Sequence, residues 1–233
     1  MHKRIMILFL VLMVTGLSVV FAEDKVKVES FEYPDVRMKA DVFVPAQLKG
    51  KLPVAFLAHN GGGKKEDWGA FPRDLAGMGW LVVSIGWVNM GGTADVTKAI
   101  DKVLDTYGAV IDTKRVALVG GCHGAAKFLN VLGDEAMMKK MTVKTVVAMS
   151  VSEADSSMLK AAARVPVPML VMYSTRDPYG YTNINKKFAE LIREPKKVLA
   201  LEKAPHGNEM LMNKDTKANV TREIVGWLKK YVL

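Results

Sequence analysis

Two kinds of apolar pattern alternate along this chain. Residues 26–32 and 36–44 switch between apolar and polar at every step, with Tyr33, Pro34 and Asp35 between them, which predicts an antiparallel hairpin with one face on a core. Residues 53–58, 80–85, 116–119, 145–149, 169–173 and 198–201 are instead continuous apolar runs, the pattern of strands covered on both faces in a mostly parallel sheet. Between the runs, apolar side chains recur every three or four residues, and each such set predicts an amphipathic helix. The sets are Trp68, Phe71, Leu75 and Met78; Val96, Ile100, Val103, Leu104 and Tyr107; Ile184, Phe188, Leu191 and Ile192; and Val220, Ile224, Trp227, Leu228 and Tyr231. Thr93 and Gly108 are the expected N-terminal and C-terminal caps of the second helix. The alternation predicts an α/β fold: a mostly parallel, doubly wound sheet with an N-terminal antiparallel edge hairpin, right-handed crossovers and functional residues at the carboxyl ends of the strands. The link between the strand ending near Ser150 and the one beginning near Met169 is too short for a large lid domain.

The first residues break this pattern. Lys3 and Arg4 precede an apolar stretch from Ile5, and Val20 and Ala22 stand at the −3 and −1 places before the charged Glu23 and Asp24. That is the layout of a secretory signal peptide spanning 1–22, cleaved after Ala22, with an uncleaved anchor helix as the alternative. Residues 23–233 then form one domain, expected in the periplasm or outside the cell with no stable membrane insertion after cleavage. Loss of Lys3 and Arg4 reduces the formal charge from +9 to +7, and the remaining basic residues are scattered, with no basic run interleaved with aromatics. This reads as a solvated surface and argues against a nucleic-acid partner. A single cysteine excludes an internal disulfide, so in an oxidising compartment the thiol must be either shielded or used.

That cysteine sits where the apolar run 116–119 breaks, in Gly120-Gly121-Cys122-His123-Gly124. Glycines two residues to either side of a nucleophile are what a tight strand-to-helix corner requires, because side chains there would strike neighbouring backbone. An inert, packed cysteine is the competing reading. Order along the chain favours use: Asp177 follows the run 169–173, and His206 follows the run 198–201, giving nucleophile, acid and histidine in the α/β-hydrolase order. Acyl transfer needs those three groups and donors for an oxyanion. Cys122 would attack as a thiolate, His206 would serve as base and then acid, and Asp177 would orient the imidazole. Asp155 and Glu153 remain alternatives for the acid. Beyond the leader there are three histidines: His59 has an expected structural role, and the ring of His123 is expected to leave the corner in another direction, which leaves His206 as the base.

Over nearly all of the mature chain, the sequence resembles the dienelactone hydrolase family of α/β-hydrolases, whose members carry a Cys, Asp, His triad. The matching pieces are His59-Asn60-Gly61-Gly62-Gly63, the Cys122 corner, Arg176-Asp177-Pro178 and Pro205-His206-Gly207. His123 after the nucleophile is a departure. The resemblance implies a small ester or lactone substrate, attacked to give an acyl-enzyme, with no cofactor. By analogy with esterase loops, the N–H of His123 and that of Gly61 would form the oxyanion hole, with Asn60 and Gly62 as alternatives to Gly61. His59, Asn60, Trp87 and Tyr179 are candidates for the substrate pocket, with Trp68, Asn89 and Met90 further ones.

Other chemistries find little support. One cysteine, widely separated histidines and the lack of a His-Glu-x-x-His spacing argue against a metal site. Gly120, Gly121 and Gly124 are out of register for a dinucleotide loop. Two alternatives to ester hydrolysis stay open: a catalytically silent hydrolase fold that binds ligands, and acyl transfer to an acceptor other than water.

Overall fold

A computed structural model describes residues 25–33, 38–87, 92–152 and 167–233. The expected leader 1–22, the turn at Pro34 and Asp35, Asn89, Met90, Glu153 and Asp155 all lie outside the described residues. Eight strands form one sheet in the order β1-β2-β4-β3-β5-β6-β7-β8. They are β1 (Val26–Tyr33), β2 (Met38–Pro45), β3 (Leu52–Ala58), β4 (Leu81–Trp87), β5 (Ile111–Gly121), β6 (Val143–Met149), β7 (Met169–Ser174) and β8 (Lys196–Leu201). The hairpin β1–β2 is antiparallel and joins β4 antiparallel, with Val28 opposite Phe43 and Val42 opposite Val83. All pairings from β4 to β8 are parallel. This is the α/β-hydrolase arrangement that the pattern predicts.

The helices are α1 (Phe71–Gly77), α2 (Thr93–Tyr107), α3 (His123–Val131), α4 (Glu135–Lys140), α5 (Thr182–Leu191) and α6 (Lys217–Val232). Because successive side chains on a strand point to opposite faces, the continuous apolar runs feed two cores. Phe56, Val83, Leu118, Val146 and Val171 meet Val96 and Ile100 of α2, Phe128 of α3 and Phe188 of α5 on one face. Their neighbours Leu57, Val82, Val119, Val147 and Leu170 meet Leu75 of α1 and Val220, Ile224 and Leu228 of α6 on the other.

Several expectations are corrected. Thr93 is the first helical residue of α2, and the cap is Gly92, whose N–H donates to the Asp95 carboxylate at 2.9 Å. Gly108 does cap the other end, in right-handed rather than left-handed conformation. Trp68 belongs to a separate 3-10 turn, Lys65–Trp68, because α1 starts only at Phe71 with Pro72 in its first turn. The run 198–201 was expected to be covered on both faces. It lies in β8, an edge strand with no fully buried residue, where Val198 is 37% exposed. The short α4 has one buried apolar residue, Met137, too few to reveal a period in sequence.

Candidate active site

The corner between β5 and α3 is built as its glycines suggest. Cys122 has φ 52° and ψ −117°, a conformation an L-residue holds only when its surroundings enforce it. A Cβ on Gly120 would run into the backbone of Ala125, and one on Gly124 into the carbonyl of Ala58. The corner is pinned on the other side by the Cys122 N–H, which donates to the Met149 carbonyl at 2.8 Å. Strain, close backbone approach and the start of α3 together hold the thiol at the carboxyl end of the sheet.

Asp177 and His206 reach the same end from the loops after β7 and β8. The two side chains are buried, and His206 Nδ1 lies 2.7 Å from Asp177 Oδ2. The other carboxylate oxygen accepts the Tyr179 N–H at 2.9 Å, and the Asp177 N–H donates to Thr182 Oγ1 at 3.2 Å. The carboxylate is therefore fixed on both oxygens, and it leaves Nε2 of His206 as the imidazole atom facing the cleft. Tyr179 and Tyr181 flank that ring, their centroids 4.9 and 5.4 Å from it.

The thiol is held below its ordinary value, at about 7. Burial acts most strongly and pushes it up. The hydrogen-bonding and charge influence of His206, the Gly61 amide and the charge of His123 together outweigh burial. His206 shows the reciprocal behaviour: burial lowers it, but Cys122 and Asp177 overcome that and hold the imidazole above the usual histidine value. The two groups thus favour a thiolate–imidazolium pair. The sulfur itself stands 3.2 Å from His123 Nδ1, and Nε2 of His206, although buried, has no hydrogen bond of acceptable geometry. The expectation that the His123 ring turns away from the nucleophile is not met. The ring lies beside the thiol and against Gly61, where a Cβ would come within 2.5 Å of Nδ1.

Two asparagines clamp the loops around this point. The Asn60 N–H donates to Asn208 Oδ1 at 2.9 Å, and the Asn208 N–H donates to Asn60 Oδ1 at 3.3 Å. Asn60 Nδ2 also donates to the His206 carbonyl at 3.2 Å, and Asn208 Nδ2 to the Asp67 carbonyl at 2.8 Å. Gly121 and Gly207 give these side chains room: a Cβ on Gly121 would be 2.6 Å from Asn60 Oδ1, and one on Gly207, whose φ is 55°, would overlap the same atom. The loop after β3 and the His206 loop are therefore hydrogen-bonded to each other, with the Cys122 corner packed closely against both.

These parts line a cleft of about 430 Å³ made by Asn60, Gly61, Gly62, Gly63, Asp67, Cys122, His123, Tyr179, Tyr181, His206, Asn208 and Glu209. Of the pocket candidates, Asn60 and Tyr179 line it, while His59, Trp87 and Trp68 do not. His59 is fully buried, with Nδ1 2.6 Å from the Asn60 carbonyl and its ring against Trp87 at 4.0 Å, and burial lowers its pKa. Sequence reasoning missed Asn208, Tyr181, Asp67 and Glu209. Proximity to His206 was a usable signal for Asn208 and Glu209, whereas Asp67 arrives through the fold alone. A larger groove of about 720 Å³ includes Lys49, Lys51, Leu52 and Arg115, at the amino ends of the strands, and shares no residue with this cleft. It holds neither a thiol nor an imidazole, so size does not make it the reactive centre. Among the described residues, no group of three or more histidine, cysteine or acidic side chains is gathered as for a metal, and no helix is long and apolar enough to cross a membrane.

The fold and the corner define an α/β-hydrolase fold. Solved structures agree: the chain is similar to a dienelactone hydrolase from Anabaena variabilis, with a TM-score of 0.70 and 14% identity over 90% of this chain and 100% of that one. It is also similar to the esterase domain of a Rhodothermus marinus protein, with a TM-score of 0.69 and 17% identity over 89% and 99% of the two chains. A structure of an arylesterase gives a TM-score of 0.66 and 16% identity over 89% and 85%. No family model and no curated protein matches the sequence.

Proposed function

We propose that the protein is an exported hydrolase of small carboxylic esters or lactones. The observation that carries this reading is the 2.7 Å contact between His206 and Asp177 beside a thiol held at about 7. The Cys122 thiolate attacks the ester carbonyl, and the oxygen that gains charge is met by the N–H groups of His123 and Gly61. As the tetrahedral intermediate collapses, the C–O bond breaks and the leaving alcohol takes a proton from His206 Nε2, leaving an acyl group on sulfur. Nε2 then removes a proton from water, whose attack on the thioester releases the acid and restores the thiolate. Asp177 stabilises the imidazolium throughout. Export rests on the 1–22 leader, and a secreted chain beginning at Glu23 would support it.

The other reading, a silent hydrolase fold that binds a ligand, draws on the 3.2 Å approach of the sulfur to His123 while His206 Nε2 lacks a hydrogen bond. One experiment separates them: short-chain esters, thioesters and lactones are offered to the protein and to Cys122→Ala. Turnover that disappears in the variant supports hydrolysis at Cys122, and equal turnover removes that residue from the mechanism. No turnover of any compound leaves the silent reading.

A further inference from the structure

We infer that the cleft selects esters carrying a positive or neutral group and discriminates against esters carrying a carboxylate, an inference that rests on the ester-hydrolase reading and names its substrate class. Asp67 and Glu209 are half-buried in the lining, and neither forms an ion pair among the described residues. Among the described residues the lining holds no lysine or arginine, and its basic side chains are the imidazoles of His123 and His206. Of these, His206 is already committed to Asp177. Glu209 is further fixed by Asn60 Nδ2, 3.4 Å from Oε1, and Asp67 Oδ2 accepts the Lys64 N–H at 2.8 Å. Both carboxylates are thus held in place by neutral donors rather than by a lysine or arginine side chain.

The second observation is the aromatic wall. Tyr179 is 64% exposed, an unusual position for a large ring, and its centroid is 6.5 Å from that of Tyr181. Tyr179 presents ring surface beside His206, whose buried and unpartnered Nε2 marks where the reacting carbonyl must come. Aromatic surface next to uncompensated carboxylates attracts a quaternary ammonium or other soft cation and accepts an uncharged group. A carboxylate meets like charge there, and the one imidazolium nearby, His206, is already held by Asp177.

The net charge of +9 points the other way, toward anions. Distance decides between the two. At physiological salt the screening length is about 8 Å, so charges spread over the outer surface are largely screened at the reacting carbon, whereas charges in the cleft wall are not.

The test uses three acetate esters of matched size: 2-(trimethylammonio)ethyl acetate, its uncharged isostere 3,3-dimethylbutyl acetate, and 4-acetoxybutyrate. The expected kcat/KM falls in that order, with the anion about tenfold or more below the cation at low ionic strength, within the range that charged clefts impose on association. In Asp67→Asn/Glu209→Gln that ratio collapses toward one. Equal rates, or an anion turned over fastest, overturn the inference and leave hydrolysis intact. A binding readout covers a protein that turns over none of them: tetramethylammonium, but not pivalate, should slow iodoacetamide alkylation of Cys122. Equal protection by the two overturns the inference whatever becomes of hydrolysis.

Discussion

The proposed activation of Cys122 by His206 makes a calculable prediction for removal of that imidazole. The thiol is held at about 7 against an ordinary 9.0, and burial, the largest influence, acts upward. A displacement of two units corresponds to about 2.7 kcal/mol in favour of the thiolate. In His206→Asn the main opposing influence is gone, while burial remains, so the thiol should titrate at about 9 or above. At pH 7 the thiolate fraction then falls from about one half to about one hundredth, roughly fiftyfold. A more basic thiolate is intrinsically more nucleophilic, by about tenfold over two units, so the observed alkylation slows by about fivefold at pH 7 and overtakes wild type above about pH 8. Because the chain has one cysteine, iodoacetamide incorporation followed by mass spectrometry across pH reads this one site. For wild type the rate should rise through pH 7 and level off, since protonation below that point removes the nucleophile. A variant that still titrates at 7, or a wild type that titrates near 9, would refute the assignment of His206 as the activating group.

Other parts of the site make separate predictions. Asp177→Asn keeps a hydrogen-bonding side chain but lacks the charge, and kcat for ester hydrolysis should drop on the order of 10³-fold with KM little changed, measured by steady-state kinetics. Gly61→Ala places a methyl 2.5 Å from His123 Nδ1, so it should displace the ring and the adjacent amide and lower kcat by about 10² or more; unchanged kcat would remove the Gly61 amide from the oxyanion hole. Asn208→Ala breaks the clamp on two sides, and its expected cost of about 1–3 kcal/mol is read by chemical denaturation together with a lower kcat.

The fold was legible in the sequence because its two signals are physically independent. Continuous apolar runs such as 80–85 report strands with a helix on each face, and the three- and four-residue spacing from Val96 to Tyr107 reports a helix with one buried stripe. The reading failed where one signal imitates another. Val198 to Leu201 is apolar because it closes the end of a sheet, not because it is covered on both faces, and a four-residue run cannot distinguish the two. Trp68 keeps helical spacing with Phe71 because both pack on the same core, although a 3-10 turn carries one and α1 the other.

Of the candidate site, the meeting of Cys122, His206 and Asp177 at one cleft was legible and the rest was not, and the reason lies in how the corner is made. Glycines at 120 and 124 announce a turn because nothing larger fits, so the identity of the residue between them can be read as chemistry. No comparable constraint announces the direction of a side chain, and His123 shows the consequence. Its backbone is fixed by the start of α3, but its ring is placed by the space that the absent Cβ of Gly61 leaves open, 62 residues earlier in the chain. The same glycine whose amide steadies the thiolate is therefore the one that admits a second imidazole beside it. That coupling makes the pair testable as a unit. His123→Ala should relieve the crowding that makes Gly61→Ala harmful, so the double variant should recover much of the kcat lost by Gly61→Ala alone, whereas strictly additive losses would mean that the ring does not dictate the glycine.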